Sequence, residues 1–308
     1  MNDKLLFLIS LAVICLPLAL ALGAAGLPMS TASLAMNPPK RVKVLRDKFG
    51  QHGATLAIFL GLASVLFLGL AGFIMRLKFP DWASFWLGWP LPLFPLLVCL
   101  GLAGMFLCLY RAAWQALRDH TRLRACLGLA ATAMGWLFSF FTLTAFRHFV
   151  VYPTQPTAGT DFFLPPLSSA VWLILPQTIA LSLSLAGSSV ALYLIHRREK
   201  DDFGRDYYNY GLKLASKWAF LSLLATMVLQ LILGAMLWPQ VKDSPVRGLF
   251  FWGQAVSLCA SSLACLLWVI VIRSQTPLRL KGHLATAWLM VWIGLSALCA
   301  AYARLFLG

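Results

Sequence analysis

The ten carboxylates of this 308-residue chain all fall outside its long apolar stretches, and this distribution constrains the fold more than any other feature. Each stretch is long enough for a helix across a bilayer core of about 30 Å, which takes roughly 20 residues. The eight apolar runs cover approximately 4–25, 53–76, 87–110, 123–147, 167–195, 217–238, 248–272 and 284–305. The sequence therefore predicts an all-α, polytopic transmembrane bundle of about eight helices.

The absence of acids inside these runs also bears on function. Proton and cation relays in pumps need ionisable groups at membrane depth, and the runs contain no carboxylate to serve as one. Charged residues make up only 11% of the chain, against roughly 25% in soluble domains, so no separate soluble domain is expected. We predict one transmembrane domain, 1–308, which divides naturally into four-helix halves at 1–155 and 156–308.

The basic residues indicate the orientation of the bundle rather than a nucleic-acid partner. Of 25 lysines and arginines, 18 lie in the segments after the first, third, fifth and seventh runs, and seven lie in the remaining segments and termini. Because cytoplasmic loops carry the excess of Lys and Arg, both termini are predicted on the exported, periplasmic side. The expected location is the bacterial inner membrane, with the lipid bilayer as the first partner and no nucleic acid.

The first run allows two interpretations. Residues 1–25 have the basic start, apolar stretch and small residues of a secretory signal peptide. The apolar part is longer than usual for such a peptide, however, and we favour a retained helix.

The seven cysteines carry no motif for a metal or a covalently bound haem. The chain contains no Cys-x-x-Cys, which speaks against a zinc site or an iron–sulfur cluster, and no Cys-x-x-Cys-His for c-type haem. Redox centres of these kinds would have to belong to partner subunits.

Polar residues within the later runs form the first candidate site. Gln177 lies in the fifth run beside Pro176, and Gln254 lies in the seventh run with several serines. A buried amide in lipid must find a hydrogen-bond partner, so these side chains are expected to face the bundle interior. They serve either as contacts between helices or as ligands of a quinone carbonyl or another small substrate.

Further candidates lie at the membrane faces. Arg147 and His148 end the fourth run and Arg304 ends the eighth, all on the predicted exported side, where they could contact haem b or quinone or simply anchor the helices. His52 begins the second run on the cytoplasmic side and is the other candidate haem ligand. The sequence leaves open whether any haem is bound. The polar segment 197–217 is expected to be an interfacial turn or a contact surface for a peripheral subunit.

One part of the chain resembles a known family. The segment Phe162–Pro166 (Phe-Phe-Leu-Pro-Pro) leads into a polar helix that ends at His196-Arg197-Arg198, and the tyrosine-rich segment Asp206–Ala219 opens a helix that closes at Leu237-Trp238-Pro239. Over about 80 residues this order is similar to the middle of membrane proteins related to subunit I of cytochrome bd quinol oxidases. The resemblance is to eight-helix haem b relatives that work beside c-type cytochromes. In that family the first helices carry histidine haem ligands, whereas residues 5–25 here contain neither histidine nor methionine.

The resemblance implies a quinone-facing membrane subunit of a respiratory electron-transfer complex. Such a subunit would anchor cytochrome or iron–sulfur partners and bind quinone at a membrane face, without necessarily being catalytic itself. The alternative is a transporter or channel for a neutral or anionic solute, lined by the glutamines and serines of the fifth to seventh runs. A membrane enzyme acting on lipid has little support, because no nucleophile–base pair or metal motif lies at an interface.

Overall fold

The computed structural model describes residues 40–78, 80, 84, 94–117, 120–151, 164–167, 169–201, 203–243 and 247–307. This part of the chain contains seven α-helices: α1 Lys40–Lys78, α2 Phe94–Ala112, α3 Thr121–Val151, α4 Val171–Arg198, α5 Arg205–Val241, α6 Arg247–Arg273 and α7 Lys281–Leu307. A 3₁₀ turn, Pro277–Leu280, joins α6 to α7. The predicted run 4–25, and with it the question of a cleaved signal peptide, lies outside the described residues.

Six helical segments in the described ranges are long and apolar enough to cross a membrane. They are Phe94–Ala112, Arg122–Ala145, Val171–Arg198, Arg205–Pro239, Arg247–Arg273 and Pro277–Tyr302. The helix α1 contains the predicted run 53–76 but is not among these six. The all-α, multi-pass architecture is therefore confirmed, while the eighth helix and the exported position of both termini remain predictions.

The helices α4 to α7 form a closed antiparallel ring. Each packs against the next along the chain, and α4 also contacts α7. The helix α1 packs on α2, α4 and α5, and α3 packs on α2, α4 and α7. We call the end of the bundle that carries Arg111, Arg198 and Arg273 the basic end, and the end that carries Val171 and Val241 the opposite end.

Glycines allow the ring helices to approach closely. A Cβ on Gly187 of α4 would lie 2.8 Å from the backbone oxygen of Ala215 on α5. A Cβ on Gly253 of α6 would lie 2.7 Å from the Cβ of Ala301 on α7. Small residues at such crossings let backbones meet, which is the main source of helix association in lipid.

Two helices extend further toward the basic end than the apolar runs predicted. The segment 197–217 is predicted as an interfacial turn or a contact surface for a peripheral subunit; most of it is helical, since α4 continues to Arg198 and α5 begins at Arg205, and the contact surface remains a prediction. Tyr207, Tyr208 and Leu212 on one side of this extension are almost fully buried, which explains why it stays helical. With 37 residues, α5 is roughly 55 Å long at 1.5 Å per residue, so it projects well beyond the bilayer core.

Candidate functional site

The polar side chains of the four ring helices meet near the opposite end of the bundle. The Nε2 atom of Gln230 on α5 donates to the side-chain oxygen of Gln254 on α6 at 2.7 Å and lies 3.2 Å from the Gln254 backbone oxygen. The hydroxyl of Ser257, one turn further along α6, donates to Oε1 of Gln230 at 3.2 Å. Gln230 and Ser257 are almost fully buried, so these bonds link α5 to α6 away from water.

A second pair extends this network to α4 and α7. The hydroxyl of Tyr302 donates to Oε1 of Gln177 at 3.4 Å. The same hydroxyl also interacts with the side chain of Gln254. The structure therefore brings Gln177 and Gln254, both predicted as site residues, around one tyrosine. We call Gln177, Gln230, Gln254, Ser257 and Tyr302 the amide cluster.

Two hydrogen-bond donors of the amide cluster have no partner. They are the Nε2 groups of Gln177 and Gln254. Gln177 is only 2% exposed, so its amide cannot be satisfied by bulk water. A buried donor without a partner costs about 1–3 kcal/mol, and such a group in a folded protein calls for an explanation.

The amide oxygens of the cluster, in contrast, each accept one hydrogen bond. Oε1 of Gln177 accepts from Tyr302, Oε1 of Gln254 accepts from Gln230, and Oε1 of Gln230 accepts from Ser257. The cluster thus offers surplus N–H donors, and the complementary ligand group is a neutral oxygen acceptor such as a carbonyl.

An apolar wall lies beside the cluster, toward the opposite end. A buried apolar group forms this wall, and the ring of Tyr302 packs against it. Its members are Leu233, Leu237, Val241, Phe250 and Ala301. The rings of Phe250 and Tyr302 have their centroids 6.4 Å apart. Gln177 follows the start of α4 by about six residues, which places it roughly 9 Å inside the end of the helix. A few polar groups within apolar walls are typical of small-molecule sites.

The remaining candidates on this side are only partly described. Arg147 is half-buried in the last two turns of α3. The backbones of His148 and Arg304 belong to α3 and α7, but their side chains lie outside what the structure describes. Contact of these three residues with a cofactor therefore remains a prediction.

His52 lies at the basic end, far from the amide cluster. It is only 6% exposed, and its Nδ1 is 2.7 Å from the hydroxyl oxygen of Tyr207. The rings of Tyr193, Phe203 and Tyr207 surround it at centroid distances of 6.1, 5.6 and 5.7 Å. Burial, assisted by nearby cations, lowers the pKa of His52 to about 4, so the imidazole is neutral at physiological pH.

This packing does not fit a haem at His52. Side chains of the protein occupy one ring nitrogen and three sides of the imidazole. His52 also cannot share an iron with His148. Asp47, close to His52 on α1, pairs with Arg124 near the start of α3, and His148 lies roughly 24 residues, or about 36 Å, further along α3. Across the described ranges no group of three His, Cys, Asp or Glu residues is arranged to hold a metal ion.

Sequence reasoning missed the aromatic surroundings of His52. Tyr207 was assigned to a turn, and Phe203 precedes it in the same polar segment. The spacing of Tyr207, Gly211 and Ala215 was a usable signal, because it continues the buried face of α5 by one turn at a time.

The fold is similar to that of a chain in a solved structure. A chain of the structure entitled "The structure of bd oxidase from Geobacillus thermodenitrificans" matches with a TM-score of 0.63 and 15% sequence identity, over 100% of this chain and 87% of that chain. No protein-family model and no curated protein matches the sequence. At this identity the likeness concerns the fold alone, and the expected resemblance to a bd oxidase is confirmed at that level.

Proposed function

We propose that this protein is a quinone-binding integral membrane subunit of a respiratory electron-transfer complex. The proposal combines a multi-pass fold shared with a bd oxidase chain and a buried group of unpartnered donors near one membrane face. The chain itself provides binding and anchoring, and the redox centres belong to partner subunits.

The observation that carries the proposal is the pair of unpartnered Nε2 groups on Gln177 and Gln254, on either side of the Tyr302 hydroxyl. A quinone presents a neutral carbonyl oxygen that can accept from such donors, and its apolar tail suits the membrane. The apolar wall around Phe250 would contact the ring of the ligand. In this role Gln177 and Gln254 hold the carbonyl, and Gln230 fixes the orientation of the Gln254 amide.

The balance of donors and acceptors also favours one redox form. A quinone carbonyl accepts hydrogen bonds, whereas a quinol hydroxyl also brings a donor that needs an acceptor. Because each of the three amide oxygens already accepts one hydrogen bond, whereas two amide nitrogens donate none, we expect the cluster to bind the oxidised form more tightly. A carbonyl that accepts a hydrogen bond from one of these amide N–H groups would remove the cost of about 1–3 kcal/mol that each buried, unpartnered donor carries.

The fold supports the anchoring role, and so does the surface at the opposite end of the bundle, where the amide cluster lies. Phe251 and Trp252 of α6 are 54% and 65% exposed, and Trp238 of α5 is 42% exposed. Exposed aromatic rings at a helix end suit the headgroup zone and the edge of a subunit interface alike. Purification from native membranes under mild detergent tests this part: co-purifying cytochrome or iron–sulfur subunits support it, and an isolated chain contradicts it.

The quinone proposal is tested by organic extraction of the purified protein, together with a reduced-minus-oxidised visible spectrum. Bound quinone is expected, and a b-type haem band would direct attention to His148. The variants Gln177→Leu and Gln254→Leu should each lose quinone while the protein remains folded. Thr178→Val is the matched control, because the Thr178 hydroxyl bonds to the backbone oxygen of Ile174 within its own helix. Quinone retention equal to the control in both Leu variants would refute the assignment.

A transporter or channel is the second candidate, favoured by a polar seam between α4 and α5. The hydroxyls of Ser184 and Ser216 on these helices are buried without a partner. Both serines are 0% exposed, however, and the contact of Gly187 with Ala215 joins the helices directly. A solute path along this seam would need the helices to separate. Solute uptake into liposomes that contain the purified protein would support this candidate over the first.

A further inference from the structure

One backbone atom fixes the direction of the hydrogen bonds in the amide cluster. The Nε2 atom of Gln230 on α5 lies 3.2 Å from the backbone oxygen of Gln254 on α6. A backbone carbonyl oxygen accepts hydrogen bonds and never donates, so the end of the Gln230 amide that faces it must be the NH₂ group. Oε1 of Gln230 then points to Ser257 and accepts from its hydroxyl at 3.2 Å. The main chain of α6 therefore decides which way the Gln230 amide is turned.

Gln230 in turn fixes the amide of Gln254. Its Nε2 atom lies 2.7 Å from Oε1 of Gln254. If the Gln254 amide were turned over, two NH₂ groups would face each other with no acceptor between them. Gln230 is only 1% exposed, so bulk water cannot separate such a pair. Gln254 is therefore held with its oxygen toward Gln230 and with its Nε2, which has no partner, on the other side.

A ligand beside the spare Nε2 of Gln254 meets a donor and not an acceptor. The two ends of a primary amide point in different directions, so the oxygen of Gln254 cannot face the same ligand atom as its nitrogen. Oε1 of Gln177, the other amide oxygen beside the spare donors, already accepts from the Tyr302 hydroxyl. A quinone carbonyl, which only accepts, therefore matches the N–H of Gln254. The hydroxyl hydrogen of a quinol needs an acceptor that this side chain does not present.

We infer that Gln230 is the residue that makes the amide cluster select quinone over quinol. This role rests on the proposed quinone site, and it belongs to a residue that does not itself hold the carbonyl. Gln230 is a positioning residue, because the backbone oxygen of Gln254 orients Gln230, and Gln230 orients the Gln254 amide that holds the ligand. Without Gln230, the Gln254 amide is free to turn over and to present its oxygen to a quinol hydroxyl.

The test uses the full-length protein, purified in detergent and freed of its native quinone. The probes are a short-chain ubiquinone and the corresponding quinol, whose dissociation constants are measured separately in the absence of oxygen. We expect the parent protein to bind the quinone about tenfold more tightly, because the quinol leaves one buried donor without a partner. Gln230→Met removes the amide but keeps a side chain of similar length. It should bring the two dissociation constants to within about twofold of each other.

Thr226→Val is the matched control. Thr226 is a buried residue one turn before Gln230 on α5, and its hydroxyl bonds to the backbone oxygen of Ser222 within the same helix. This variant should keep the parental ratio of quinone to quinol affinity. A purely structural role of Gln230 would weaken both ligands equally and leave the ratio unchanged, so the ratio separates positioning from packing. Gln230→Leu provides a second variant in case Gln230→Met does not fold.

The outcomes distinguish this inference from the proposed function. A selective parent protein together with unselective Gln230 variants would support the role of Gln230. A parental ratio in the Gln230 variants, or equal binding of both probes by the parent protein, would overturn that role while leaving the proposed quinone site in place. Binding of neither probe by the parent protein would contradict the proposed function, and the role of Gln230 with it.

Discussion

Replacing Gly253 by alanine should abolish the proposed quinone binding without removing any polar group of the amide cluster. Gly253 directly precedes Gln254 on α6 and lies at a close approach of this helix to α7. An added Cβ would lie 2.7 Å from the Cβ of Ala301 and 2.9 Å from the backbone oxygen of Ala297. These atoms belong to the backbone or are attached directly to it, so no flexible side chain can move aside.

The size of the effect follows from these distances. Non-bonded carbon atoms are best separated by about 3.5–4.0 Å, so α6 must move from α7 by roughly 1 Å. The side chain of Gln254 would then move away from the Tyr302 hydroxyl on α7, which separates the two sides of the amide cluster. Overpacking costs about 1–3 kcal/mol and the better helix propensity of alanine returns about 1 kcal/mol, which leaves a net loss of roughly 0–2 kcal/mol. Quinone binding should thus fall far more than stability.

The assay compares quinone binding and the thermal midpoint of Gly253→Ala with those of Gly248→Ala. Gly248 lies in the same helix, and a Cβ there would meet nothing within 4 Å, so its substitution should leave binding intact. If Gly253→Ala bound quinone as tightly as Gly248→Ala, the close approach of α6 and α7 would not control the site and the reasoning would be wrong.

Three further predictions concern pH, an ion pair and topology. Burial lowers the pKa of His52 from 6.5 to about 4, so folding to the native state is favoured most above pH 6.5. The free energy of unfolding should fall by up to roughly 3 kcal/mol as the pH is lowered to 4, which thermal midpoints measured across this range will test. Arg124→Gln should destabilise the protein by about 1–3 kcal/mol, because it leaves the carboxylate of Asp47 unpaired; a thermal midpoint measures this. A periplasm-active reporter fused after Gly308 should be active if the predicted orientation is correct.

Each of these has its own control. His52→Gln should flatten the pH dependence, whereas His196→Gln, at an exposed position, should not; equal curves would contradict the role of His52. Asp47→Asn should cost more than Arg124→Gln, since it leaves the guanidinium of Arg124, which is only 6% exposed, as an unpaired buried charge, whereas the carboxylate of Asp47 is 30% exposed and can be hydrated. An inactive fusion after Gly308 would reverse the assignment of the two membrane faces.

Most of the described architecture could be predicted from apolar run length alone. A helix of about 20 apolar residues is the structure that satisfies every backbone hydrogen bond in lipid, so runs such as 248–272 correspond closely to α6. The extended starts of α1 and α5 could not be predicted in this way. They are held by contacts between distant segments, such as that of His52 with Tyr207, which hydropathy does not record.

Individual residues of the candidate site could be predicted from the sequence, but the contacts between them could not. Gln177 and Gln254 stood out because amides are rare in apolar runs, and their position toward the bundle interior was expected. Which other residues they would meet was not, because Tyr302 lies 125 positions from Gln177 along the chain. His52 illustrates the opposite case: its residue type suggested a ligand, while its packing makes it a buried partner of tyrosines.

The sequence by itself determined that the chain is a membrane-embedded helix bundle without buried acids, because the energetics of lipid act on the composition of each run separately. Only the tertiary structure decided which polar groups are satisfied and which are left over. The spare donors of Gln177 and Gln254, and the enclosure of His52 by Tyr207, result from the packing of helices that are distant in sequence. Whether a polar or charged group has a partner depends on distances of a few ångströms to residues of other helices. Those neighbours are known only from the tertiary structure.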